Sequence, residues 1–160
     1  MTRQIVARVL IPLCLCSIAA GKPMDWLEHV RALSFSDQLN EIKGVSTHSP
    51  ATQRDRVPAL IELLKHKDQS VRIVAAAEIA EIRQVSESAL PALLQSFEQP
   101  NGEEGMEYVT AVAVFGERAL PLLQKSLTND NWLVRTRACD AIRIIKPTLY
   151  KDGECNERAP

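Results

Sequence analysis

Three histidines, four cysteines and a scatter of glutamates are the residues of this chain that could do chemistry, and their spacing argues against it. His29, His48 and His66 fall in separate segments, none at metal-ligand spacing from a cysteine, an aspartate or another histidine. His66, between Lys65 and Lys67, suits the C-terminal end of a helix, where cations favour the dipole. No glycine loop of the phosphate-cradling kind and no nucleophile elbow occurs. Glu78, Glu81, Glu103, Glu104, Glu107 and Glu117 supply carboxylates. Acid–base catalysis needs such groups shielded and with displaced pKa values, whereas glutamates on helix faces are ordinarily solvated. The pattern reads as a protein that is not an enzyme, with no catalytic, cofactor-binding or metal site.

Cys14 and Cys16 belong to an N-terminal segment unlike the rest. Arg3 and Arg8 precede the apolar run Val9 to Ala20, which ends in small residues. That is the layout of a secretory signal peptide over residues 1–21, with cleavage after Ala19 or Gly21 satisfying the small-residue rule. The run is about a dozen residues, short of the ~20 that a bilayer-spanning helix needs. A buried N-terminal helix and an uncleaved anchor are the alternatives. Neither cysteine follows a small residue, as lipidation requires. The mature chain is therefore expected to start near Ala20 or Lys22, to be exported (periplasmic or secreted), and to have no stable membrane span. Cys139 and Cys155 would then remain. Cys139 reads either as a small buried core residue or as the partner of Cys155, bringing the tail back over the last helix.

The elements that would position these residues follow from composition and periodicity. At 160 residues there is room for one domain. Hydrophobic residues make up 46% but aromatics only 4%, so the core must come from Leu, Ile, Val and Ala, which suits close-packed helices. A formal charge of −1 excludes a globally basic protein and argues against nucleic acid as a partner.

A short motif then recurs. Ala89 to Phe97 (ALPALLQSF) is written again at Ala119 to Leu127 (ALPLLQKSL), and more loosely at Val57 to Leu64. Pro58, Pro91 and Pro121 stand 33 and 30 residues apart (58 to 91, 91 to 121), the signature of a repeat architecture. With each proline as position zero, Val71 and Val134 share position +13, and Arg72 and Arg135 share +14. Ala75 and Ala138 share +17, Ile79 and Ile142 +21, Ile82 and Ile145 +24. Steps of four, four and three trace one face of a helix. Each unit is thus a first helix carrying the proline, a polar turn, and a second helix capped by Asp68 or Asn131 at +10. Asp55 and Ser88 are expected to cap the first helices, with each proline in the first turn; Arg118 is a poor cap. Leu94 and Leu123 are expected in the shared core.

The middle unit departs from this pattern. Gly105 occupies +14, the turn is expanded over Gln99 to Gly105, and Met106 to Phe115 forms a short helix ending at Gly116, its register open by a residue or two. The expanded turn reads as a tolerated insertion or as a contact site. Ahead of the repeats, Trp26, Val30 and Leu33 mark a helical stripe, Ser36 an N-cap and Gly44 a stop, with 45–53 loop-like. The expected organisation is a signal at 1–21, an N-terminal helical cap and loop at 22–53, repeats at 54–146, and a polar tail at 147–160.

Pro-Ala-Leu-x-x-Leu-Leu followed by Asp-x-x-Val-Arg-x-x-Ala-Ala, as at Pro58 to Leu64 and Asp68 to Ala76, resembles a HEAT repeat. The short period is similar to the HEAT-like units of phycobilisome lyases and many bacterial scaffolds. The match covers roughly Val57 to Ile145. It implies an all-α fold, a short α-solenoid of about three helical hairpins. It also implies a ladder formed by the turn acid and the following arginine, here Asp68, Arg72 and Arg135, with Asn131 replacing the acid and the middle unit lacking the arginine. The implied function is protein–protein interaction through the second helices. Arg72, Arg83, Arg135, Arg137 and Arg143 are the candidate partner contacts, and Cys139 with Cys155 a candidate disulfide. The alternatives are an accessory or capping subunit, or a HEAT-like enzyme of the lyase or glycosylase type.

Overall fold

The computed structural model describes residues 23–82, 87–99 and 105–149, and these form an all-α protein. Eight α-helices and no strands are present among them: α1 Pro23–Ala32, α2 Phe35–Ile42, α3 Pro50–Leu63, α4 Gln69–Glu81, α5 Ala89–Gln95, α6 Met106–Ala113, α7 Leu120–Ser126 and α8 Trp132–Ile145. The signal-like segment, Arg83 and Cys155 lie outside the described residues, as does most of the expanded turn.

Within α1, Leu27 and Val30 are fully buried and Trp26 half-buried. The Trp26 indole Nε1 donates to Glu41 Oε1 at 2.8 Å, and Arg56 lies 4.8 Å over the Trp26 ring and 3.8 Å from Glu41. One cation thus joins α1, α2 and α3, which makes the lead-in part of the same body as the repeats. The cap of α2 is Ser34, not Ser36. Ser34 is extended (ψ 158) and its hydroxyl accepts from Asp37 N at 3.4 Å, whereas Ser36 already lies in the first turn.

The first repeat helix starts earlier than the spacing predicts. Val45–Thr47 is a 3₁₀ turn, and Ser49 caps α3, accepting from Thr52 N at 3.3 Å with Pro50 at the first position. Asp55 is therefore inside α3, and so is Pro58, which removes one backbone hydrogen bond. The ring of Pro58 is exposed, while Val57, Leu60, Leu63 and Leu64 around it are buried. Packing of the buried stripe outweighs the interruption. Pro91 and Pro121 do sit in the first turns of α5 and α7. Asp68 and Asn131 cap α4 and α8, as the +10 spacing predicts.

A single core cluster runs from Leu27 to Ile142. α3 packs on α4, α5 on α6 and α7 on α8; in addition α4 touches both α2 and α6, and α6 touches both α4 and α8. Burial settles the register of the middle unit. Positions +17, +18, +20 and +21 are buried in all three second helices: Ala75, Ala76, Glu78 and Ile79 in α4; Tyr108, Val109, Ala111 and Val112 in α6; Ala138, Cys139, Ala141 and Ile142 in α8. Gly105 therefore aligns with Arg72 and Arg135 with no offset. Leu123 and Leu93 are buried, but Leu94 is only half-buried. Leu93 and Leu94 follow the proline in succession, and a helix turns successive side chains to different faces.

Candidate functional site

The polar groups converge at the turns between first and second helices, and each turn is built from a few residues at fixed positions. In the first unit the His66 Nδ1 accepts from Asp68 N at 3.1 Å, and Asp68 Oδ1 accepts from Ser70 N at 2.9 Å. Arg72 then reaches back, its Nη1 donating to the carbonyls of His66 at 2.8 Å and Lys67 at 3.0 Å. The third unit repeats this position for position. Asn129 Oδ1 accepts from Asn131 N at 2.8 Å, Asn131 Oδ1 from Leu133 N at 3.0 Å, and Arg135 Nη1 donates to Asn129 O at 2.7 Å and Asp130 O at 2.9 Å. The arginine at +14 supplies charged donors to two carbonyls of the turn that joins the helices. Among the described residues it clamps its own turn. Asp68 is engaged as the cap of α4, and Arg72 and Arg135 each hold two carbonyls of their own turn.

The middle unit has no arginine at +14, yet its carbonyls are clamped. Arg137, at +16 of the next unit, donates from Nη1 to Phe97 O at 2.9 Å and Gln99 O at 2.7 Å. Its guanidinium fills the space beside Gly105, and a Cβ built on that glycine would overlap Arg137 Nη2, Nε and Cζ. Gly105 has an ordinary φ of −72, so the position needs a glycine for room and not for backbone conformation. Gly116 is the converse case, with φ 59 and open space around it. Arg137 is 4% exposed, and burial pulls its guanidinium below the ordinary arginine pKa while Tyr108 opposes this.

The other proposed contacts are placed as follows. Arg72 and Arg135 are half-buried over their turns. Arg143 is half-buried, 3.8 Å from Asp140. Arg137 has no surface left for a partner while the fold is intact, and Arg83 lies outside the described residues. Of the glutamates, Glu78 is buried and its Oε2 accepts from Ser46 N at 2.8 Å, which fastens α4 to the 3₁₀ turn of the lead-in. Among the described residues no group of three His, Cys, Asp or Glu side chains lies close enough to hold a metal ion. A cavity of about 210 Å³ between Leu64 and Lys65 on one side and Gln95 and Glu98 on the other is below the range usual for small-molecule sites. No described helix is long and apolar enough to cross a membrane.

A surface that the sequence pattern did not reveal lies on the second helices at +15, +19 and +23. In α6 and its C-cap these are Met106, Thr110 and Val114, all exposed, with Met106 at 48% and Val114 at 44%. In α4 they are Ile73 and Ala77, half-buried, and exposed Glu81; in α8 they are Thr136 and Asp140, half-buried, and exposed Ile144. The signal was hidden by the ambiguous register of the middle unit, which the buried positions alone resolve. Comparison with protein-family models, with curated proteins and with solved structures found no match.

Proposed function

We propose that this protein is an exported, non-catalytic binding module of the HEAT-like type, a short stack of helical hairpins whose second helices form the face that holds a protein partner. The stacked reading is supported by the contacts of α2 with α4, α4 with α6 and α6 with α8, together with the hairpin pairs α3–α4, α5–α6 and α7–α8. Export rests on the signal-like segment at 1–21.

The observation that carries the binding reading is the shared stripe at +15, +19 and +23 on α4, α6 and α8. Its centre holds exposed Met106 and Val114 on either side of Thr110, while its edges carry Glu81 on α4 and Asp140 beside exposed Ile144 on α8. An apolar centre with a polar rim is the anatomy of a protein-binding patch. The arginines at +14 and +16 serve the turns, and the contact surface moves from them to this stripe. The full chain, captured with its partners from the host compartment, tests the reading. Met106→Glu with Val114→Glu should abolish specific capture while the helical circular dichroism stays unchanged. Capture at wild-type level by that variant would refute the assignment of the face.

A further inference from the structure

Cys139 stands at +18, and the three second helices show which way that position looks. Glu78 at +20 reaches back to Ser46 and Arg137 at +16 reaches back to Phe97, so +16 and +20 face the preceding unit. On a helix, +14 and +18 lie on the opposite side, toward the following unit. Gly105 at +14 agrees, since the next unit's Arg137 lies against it. Ala76 and Val109 at +18 are buried in α4 and α6, each of which has a following second helix to cover it. α8 is the last helix of the described residues. Cys139 on its outward side is nonetheless 1% exposed, stands outside the main core cluster, and is disulfide-bonded.

We propose that the outer face of α8 is a docking surface for the chain's own C-terminal segment 150–160, fastened by a disulfide between Cys139 and Cys155. The other cysteines, Cys14 and Cys16, precede α1, which packs on α2 and α3. From α2 to α8 there are three helix-to-helix steps of about 8–10 Å each. The seven residues from Cys16 to Pro23 span at most roughly 25 Å, so they reach α8 only when fully stretched. Cys155 follows Ile145 by ten residues, a reach of about 33 Å, and has to return only about 9 Å along the helix. Forming the bond removes two hydrogens from two thiols. One thiolate attacks a disulfide-carrying oxidant of the export compartment, and the other displaces that oxidant as its dithiol.

Tryptic digestion of the alkylated, unreduced full chain tests the connectivity. The peptides Ala138 to Arg143 and Asp152 to Arg158 should appear as one linked mass that separates on reduction. An alkylated Cys155, or Cys139 linked to Cys14 or Cys16, would overturn the pairing. Coverage is tested with Cys155→Ser in the full chain, which leaves buried Cys139 in place. Native trypsin should cut after Arg143 and Lys151 at least tenfold faster than in the disulfide-bonded protein. Equal cutting rates would show that the tail does not shield α8.

Discussion

The turns of the outer two units and the turn of the middle one solve the same problem in different ways. In residues 66–72 and 129–135 an arginine from the unit's own second helix clamps the carbonyls behind it. At Phe97 and Gln99 the clamp comes from the neighbour, through Arg137, and Gly105 makes room for it. A local clamp fastens one hairpin to itself. A borrowed clamp fastens two units to each other and buries a cation to do so. The irregular unit is thus tied to its neighbour through a buried guanidinium.

The comparison is broken most severely by Arg137→Ala. It leaves the carbonyls of Phe97 and Gln99 without their donor and opens a cavity, and it should cost about 4 kcal/mol in urea unfolding. Arg72→Ala and Arg135→Ala remove clamps at half-buried turns, where water can take over part of the bonding. A cost equal to that of Arg137→Ala would erase the distinction between local and borrowed clamps. Next in size is Gly105→Ala, expected to cost about 2 kcal/mol by overpacking against the guanidinium. The sharper form combines Gly105→Arg, which restores the +14 arginine of the other two units, with Arg137→Val, which vacates the space the new side chain needs. The double variant should be more stable than Gly105→Arg alone by at least 1 kcal/mol of coupling. Simple additivity in that cycle would remove the idea of substitution across units.

Arg72→Ala and Arg135→Ala come third, at about 1.5 kcal/mol each, by thermal melts of the full chain. The smallest effect is expected for Asp68→Ala and Asn131→Ala, about 1 kcal/mol each for the lost caps. Replacing either by the other's residue should be nearly neutral, because both accept from the same backbone position. A large loss for Asp68→Asn would show that the acid has work beyond its cap.

Much of the architecture was legible without coordinates. The apolar steps at +13, +17, +21 and +24 located both regular second helices, and Asp68 and Asn131 located their starts. These are local properties, set by helix periodicity and by a side chain reaching a backbone donor two residues away. Cap choice failed where two serines competed, at Ser34 and Ser36, and where Ser49 and Pro50 started α3 ahead of Asp55. The arginines were visible by type, but their partners were not, since a guanidinium reaches carbonyls five or six residues back in one case and 38 or 40 in another.

The sequence by itself determined that this chain is helical, that its hairpins recur with prolines 33 and 30 residues apart, and that Gly105 breaks the pattern. Periodicity, capping and turn chemistry act between neighbours along the chain, so they can be read from it. Only the tertiary structure decided that Arg137 fills the gap left at Gly105, that Met106, Thr110 and Val114 face outward, and that Cys139 is sheltered on the far side of α8. Those outcomes depend on which helix faces are covered by other helices, and coverage is a property of the assembled core.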